Sequence, residues 1–175
     1  MAEMGISENP KPEKGKVIIT IVLLTIYLFA LIWIILFQMS MFNEIFRPDR
    51  IRSINLIPFH YDEETTYHMS ELMINLIVFA PLGIYLKMLK TESIKVILCG
   101  LVISLIFETL QFVFGIGASD ITDVITNTAG TAAGTGFYSI LNLCLKNTEK
   151  IDSLLRILAA ICTVIMMLLF AILLK

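Results

Sequence analysis

Acidic and amide side chains flank a short bend between two long apolar segments, and these residues are the best suited to chemistry. They are Glu108, Gln111, Asp120, Asp123 and Asn127. Glu108 lies nine residues before Gly117, and Asn127 lies ten residues after it. If both segments are helices with a rise of about 1.5 Å per residue, both side chains lie roughly 10–15 Å from the bend. An antiparallel hairpin of these helices therefore brings the polar groups together at one level.

Two carboxyls that meet in an apolar environment allow several kinds of chemistry. Glu108 and Asp123 could share a proton, bind a cationic or hydroxyl-rich ligand, or act as acid and base on a substrate. The alternative is structural, because polar side chains also join membrane helices through hydrogen bonds worth about 1 kcal/mol each. In that interpretation Glu108 and Gln111 bond to Asn127 and Asp123. Packing needs only a neutral group, however, and an ionisable group inside a bilayer is costly enough to suggest a functional site.

Three further residues are candidates for the same site. Asn75 lies one turn after Glu71, at the start of another apolar segment. Asn55 and Arg52 lie in the polar loop before that segment. Arg52, or a neighbouring arginine at position 47 or 50, could fold inward as the positive partner of Glu108. We therefore include all three among the candidate ligand-binding residues.

The second arm of the hairpin has features of a buried, central helix. Asp120 directly follows a glycine-containing bend, which suits a helix N-cap at the positive end of the helix dipole, although it also remains a ligand candidate. Gly130 and Gly134 fall on one helical face and form a Gly-x-x-x-Gly pattern, which lets another helix approach closely. We expect these glycines to serve packing.

The composition is that of a membrane protein. Of the 175 residues, 57% are hydrophobic and 16% are charged, and the mean hydropathy is +0.85. The few basic residues mostly flank apolar segments, which excludes nucleic-acid binding. His60 and His68 stand in an acidic loop, where incidental histidines are favoured over a zinc site. The cysteines all lie in apolar runs without close pairing, so we expect no metal and no cofactor.

The apolar segments predict an all-α fold, an integral membrane bundle of five transmembrane helices. The predicted spans are residues 17–37, 71–89, 94–114, 121–145 and 154–174, each long enough to cross the hydrocarbon core. A tail over residues 1–16 precedes them, residues 38–70 form an external loop, and residues 17–145 form the main membrane domain. We expect the first segment to be a retained span rather than a signal peptide. We also expect Pro81 to break the second span midway.

Positive charge predicts the orientation of this bundle. With the N-terminus inside, the inner segments hold nine of the 13 basic residues. These are Lys11, Lys14, Lys16, Lys87, Lys90, Lys95, Lys146, Lys150 and Arg156, against Arg47, Arg50, Arg52 and Lys175 outside. The distribution favours an N-terminus inside and a C-terminus outside. The bend then faces outward, and the candidate residues form a polar pocket at the outer surface.

The same residues resemble the VanZ-like family of small bacterial membrane proteins. The likeness runs from about Asn55 to Gly136 and rests on the order and spacing of rare polar positions. The motifs are NLIPF at residues 55–59, Asn75 with FAPLG at residues 79–83, Glu108-x-x-Gln111, and Asp120-x-x-Asp123-x-x-x-Asn127-x-x-Gly130. The resemblance implies a multi-pass protein of the bacterial cell membrane that lowers susceptibility to teicoplanin and related glycopeptide antibiotics. Many family members carry an arginine shortly before the first aspartate, near Gly117, where this chain has none.

We expect a non-enzymatic protein that binds or shields a cell-envelope component at the outer leaflet. Its partners would be the lipid bilayer and a lipid-linked cell-wall precursor or a glycopeptide. The alternative is an intramembrane enzyme that modifies a lipid-linked substrate, with Glu108 and Asp123 as the catalytic pair. A third possibility is a structural subunit that contacts another membrane protein through the face of Gly130 and Gly134.

Overall fold

Long helices build almost all of the chain that the structure describes. The computed structural model describes residues 14–37, 53–59, 65–115 and 119–173, without the side chains of residues 36–37, 65–68 and 165–173. Within these ranges the helices are α1 (Lys14–Phe37), α2 (Thr65–Met88), α3 (Ser93–Phe114), α4 (Ile121–Leu145) and α5 (Thr148–Leu173). Two short strands, β1 (Ile54–Asn55) and β2 (Ser119–Asp120), lie between the helices. The predicted all-α fold with five helices is confirmed.

Three of the helices in the described ranges are long and apolar enough to cross a membrane. The segments are Lys14–Ile35, Met69–Met88 and Ser93–Phe114. Large apolar side chains such as Phe29 and Val102 are exposed on their outer faces. An apolar surface of this extent would promote aggregation in water, whereas a bilayer covers it. The chain is therefore a membrane protein.

The most polar helix, α4, packs against both α2 and α3. Its threonine hydroxyls donate to main-chain carbonyls one turn earlier. Thr126 donates to Thr122 at 3.0 Å, Thr131 to Asn127 at 3.1 Å, and Thr135 to Thr131 at 2.8 Å. Because these hydroxyls find acceptors within their own helix, they do not need water. A sequence as polar as α4 can therefore lie among apolar helices.

The contact between α2 and α4 is so close that main-chain atoms meet at glycine positions. A Cβ on Gly130 would overlap the carbonyl of Leu76, and a Cβ on Gly134 would overlap the carbonyl of Ala80. Gly83 on α2 is equally close to the main chain of α4. The close approach predicted for the small-residue face is confirmed, and α2 is the helix that occupies it.

Helix α2 continues through Pro81 without a break, so the predicted interruption is wrong. Proline lacks an N–H and disturbs the hydrogen bonding of the turn before it. In that turn, the hydroxyl of Tyr27 on α1 donates to the carbonyl of Val78 at 2.8 Å. The carbonyl that loses its helical donor at Pro81 is that of Ile77, one residue before Val78. The Tyr27 bond therefore fastens α1 to α2 at the proline turn but does not replace the lost bond.

The bend between α3 and α4 begins at Gly115, whose φ of 60° lies in the left-handed region that favours glycine. After the bend, β2 pairs in parallel with β1, with Ile54 opposite Ser119 and Asn55 opposite Asp120. This pairing holds the NLIPF segment against the N-terminus of α4.

A polar cluster joins the helices at the end of the bundle far from the bend. Asp152 precedes the predicted span 154–174 but lies inside α5, and it is 8% exposed. Tyr138 on α4 donates to this carboxylate at 2.7 Å, and Lys90 after α2 donates at 3.3 Å. The charge of Asp152 is therefore partnered, and the cluster links α4 and α5 to the turn after α2.

Candidate ligand-binding cavity

A cavity of about 290 Å³ lies near the bend, between α1, α2, α3 and α4. Its wall has a polar part and an apolar part. It is lined by Ile34, Ile35, Glu71, Ile74, Asn75, Glu108, Gln111, Asp123 and Asn127. The two arms of the hairpin thus place Glu108, Gln111, Asp123 and Asn127 around one space, and their predicted proximity is confirmed.

Glu108 is the most deeply buried carboxyl of the cavity, at 5% exposure. Its Oε2 accepts the main-chain N–H of Asp120 at 2.8 Å. Asp120 is the N-cap of α4, and its own Oδ1 accepts the N–H of Thr122 at 2.7 Å. The Glu108 carboxylate therefore sits at the positive end of the α4 dipole, which favours a negative charge there.

Asp123 lies in the first turn of α4 and is held by α2. Its Oδ1 accepts the side-chain N–H of Asn75 at 2.8 Å. This hydrogen bond joins α2 to α4 two turns of α4 before Gly130, where the two backbones nearly touch. The glycine contact thereby determines where the Asn75 amide and the Asp123 carboxylate meet.

Asn127 is 2% exposed, and its amide nitrogen points to α3. It donates to the hydroxyl of Ser104 at 2.9 Å. Among the described residues, no donor reaches the Oδ1 atom of Asn127, although this atom is buried. Sequence reasoning missed Ser104, but the signal was present, because Ser104 lies one turn before Glu108 and shares its face.

Gln111 is 1% exposed and connects the cavity to α1. Its amide nitrogen donates to the carbonyl of Ile35 at 3.3 Å. This contact orients the end of α1, whose Ile34 and Ile35 form the apolar wall together with Ile74 of α2. The sequence predicted the polar residues of the cavity except Glu71, and it did not predict this apolar wall.

Two candidates, Asn55 and Asp120, lie at the rim and are not among the residues that line the cavity. Asn55 donates to Asp120 Oδ2 at 3.0 Å and accepts the N–H of Ile57 at 3.1 Å. The main chain of Phe59 donates to the Thr122 hydroxyl at 3.1 Å. The N-cap interpretation of Asp120 is confirmed, and these contacts fasten the NLIPF segment over the start of α4.

The structural alternative predicted for the hairpin is wrong in its main pair. Glu108 does not bond to Asn127, because its partner is the Asp120 main chain and Asn127 turns to Ser104. The candidate Arg52 lies outside the described residues, as do the other arginines of that loop and His60. The side chain of His68 is also not described, and no cluster of three or more metal-binding side chains occurs in the part of the chain that was described.

The fold and the cavity together define a class, namely a small helical membrane protein with an acidic and amide-lined cavity at one end of its bundle. The family model VanZ/LLP1 matches residues 24–142. Protein VanZ of Enterococcus faecium is 40% identical over 137 residues, which cover 74% of this chain and 79% of that protein. The chain belongs to the VanZ/LLP1 family. No solved structure gives a significant match to it.

Proposed function

We propose that this protein lowers bacterial susceptibility to teicoplanin-type glycopeptide antibiotics by binding or shielding a cell-envelope component in the polar cavity. Family membership supports the link to glycopeptides. The observation that carries the binding role is the convergence of Glu108, Asp123 and Asn127 from two helices on one cavity. The envelope component would be a lipid-linked cell-wall precursor or a molecule of similar location, and a glycopeptide itself is the other candidate ligand.

The proposal includes a multi-pass topology in the bacterial cell membrane, with five spans, the N-terminus inside and the C-terminus outside. Charge placement supports it. Glu71 lines the cavity near the start of α2, whereas Lys87 lies near its end. The two residues are 16 positions apart, or about 24 Å along the helix axis. This separation supports a cavity toward one membrane face and a basic end of α2 toward the other, and the positive-inside rule favours a cavity on the outer side.

The experiment measures teicoplanin susceptibility of a susceptible host that produces the parent or a variant protein. Glu108→Gln and Asp123→Asn each remove one charge while they keep the size of the side chain. We expect both to reduce protection. Glu149→Gln is the matched control, because it makes the same change at an exposed position on α5. Full protection by both cavity variants, at parental abundance in the membrane, would contradict the proposal.

A second candidate function is catalysis on a lipid-linked envelope substrate. The supporting observation is that Glu108 and Asp123 face the same cavity from different surroundings, one bonded to a main-chain N–H and the other to an amide. Such a pair can serve as acid and base. Lipid and peptidoglycan-precursor profiles with and without the protein test this function, and identical profiles would count against it.

A further inference from the structure

Three carboxyl groups meet at the N-terminus of α4. Asp120 is the N-cap of this helix, Asp123 lies in its first turn, and the Glu108 carboxyl of α3 accepts the main-chain N–H of Asp120. A helix dipole contributes only about half a positive charge at its N-terminus. Among the described residues that line the cavity, none is lysine or arginine. The carboxyls of the described cavity therefore suit a ligand that carries positive charge.

The hydrogen-bonding groups of the cavity point to the same conclusion. The amide nitrogens of Asn75 and Asn127 donate to Asp123 and Ser104, and are thus engaged by the protein. The Oδ1 atom of Asn127 receives no donor from any described residue, and Asn127 is 2% exposed at the cavity wall. Buried polar atoms normally have a partner. This acceptor is therefore available to the N–H group of a bound ligand.

We propose that the cavity binds a primary ammonium group of a cell-envelope molecule; this inference rests on the proposed function. An ammonium group offers three N–H donors, which match the carboxylates of Glu108 and Asp123 and the amide oxygen of Asn127. The isoleucine wall packs against the short aliphatic carbons beside the nitrogen. Calcium fits less well, because it takes six to eight oxygen ligands and isoleucines form part of the wall. The ammonium can belong to a lipid headgroup or to a soluble envelope molecule such as an amino sugar.

The test measures the melting temperature of the purified full-length protein in phosphatidylglycerol nanodiscs with added ethanolamine. Ethylene glycol is the neutral probe of similar size, and magnesium chloride is the metal probe. We expect ethanolamine alone to raise the melting temperature. Glu108→Gln and Asp123→Asn should each weaken the apparent affinity about tenfold or more, since a charge-assisted bond is lost. Glu149→Gln should respond like the parent.

A second arm compares nanodiscs with and without phosphatidylethanolamine. Stabilisation by this lipid assigns the ammonium to a headgroup, whereas stabilisation by free ethanolamine alone assigns it to a soluble molecule, and both results support the proposal.

If Glu108→Gln fails to fold, Asn127→Asp provides the reverse test. Ser104 can donate to the new carboxylate, and the added charge should tighten ethanolamine binding several-fold.

Three results would overturn the inference. They are equal stabilisation by ethylene glycol, stabilisation by magnesium instead of ethanolamine, and no stabilisation by any amine source. None of them decides the proposed function, which the susceptibility assay tests separately. If Glu108→Gln abolishes antibiotic protection but no amine binds the parent, the proposed function stands and the ammonium assignment falls.

Discussion

The close contact of α2 and α4 predicts that two neighbouring glycines respond to the same substitution with opposite signs. Gly134 and Gly136 both lie inside α4. A Cβ at Gly134 would overlap the carbonyl of Ala80, whereas a Cβ at Gly136 would meet nothing within 4 Å. Alanine favours a helix interior over glycine by about 0.5–1 kcal/mol, and this gain applies at both positions.

At Gly134 the cost of the steric overlap exceeds this gain in helix propensity. Overpacking a tight site costs about 1–3 kcal/mol, and the obstructing atom here belongs to the main chain, which cannot rotate away. We expect Gly134→Ala to lower the free energy of unfolding by about 1–2 kcal/mol, and Gly136→Ala to raise it by up to about 1 kcal/mol.

The assay is reversible unfolding of the purified protein in bicelles, with both variants measured beside the parent. The two substitutions share one chemistry and one helix, so propensity and lipid effects largely cancel in their difference. If Gly134→Ala is as stable as Gly136→Ala, the main chains of α2 and α4 do not meet at this position. The geometry that joins Asn75 to Asp123 would then be wrong as well.

Other contacts give predictions for the same unfolding assay. Asp120→Ala should lower the free energy of unfolding by about 1 kcal/mol or more through loss of the N-cap. Asp120→Asn should keep most of that stability, because asparagine also caps helices, so equal losses for the two variants would contradict a capping role. Tyr27→Phe should lower the free energy of unfolding by about 0.6–1 kcal/mol, because the Val78 carbonyl loses the Tyr27 hydroxyl as a donor, and unchanged stability would refute that contact. Asp152→Ala should cost about 1–3 kcal/mol, since the buried Tyr138 hydroxyl loses its acceptor; a variant as stable as the parent would contradict the cluster of Asp152, Tyr138 and Lys90.

Much of the architecture could be predicted because the relevant signals are local. Long apolar runs and helical spacing identified the helices, and the spacing of Gly130 and Gly134 indicated a close helix contact. The continuity of α2 through Pro81 could not be predicted, because the packing of neighbouring helices decides whether a membrane helix tolerates a proline, and α1, which contacts this turn, is far away in the sequence. The burial of Asp152 likewise depends on Tyr138 and Lys90, which only the packed bundle brings near it.

The polar residues of the cavity could be predicted because a hairpin relates positions at equal distances from its bend. The hydrogen-bond partner of each of these residues could not be predicted. The structural alternative pairs Glu108 with a side chain on the facing helix, but Glu108 accepts a main-chain N–H, since the N-terminus of α4 is itself a donor. The isoleucine wall also carried no signal, because Ile34, Ile35 and Ile74 look like any lipid-facing residues in a sequence of this kind.

We propose that the cavity holds a cell-envelope molecule. Native mass spectrometry of the protein released directly from bacterial membranes tests it most directly, with Glu149→Gln as the control for Glu108→Gln. We predict an adduct of defined mass on the parent and on Glu149→Gln, and its loss from Glu108→Gln at equal protein abundance. An unmodified parent mass, or an adduct that Glu108→Gln retains in full, would contradict the claim.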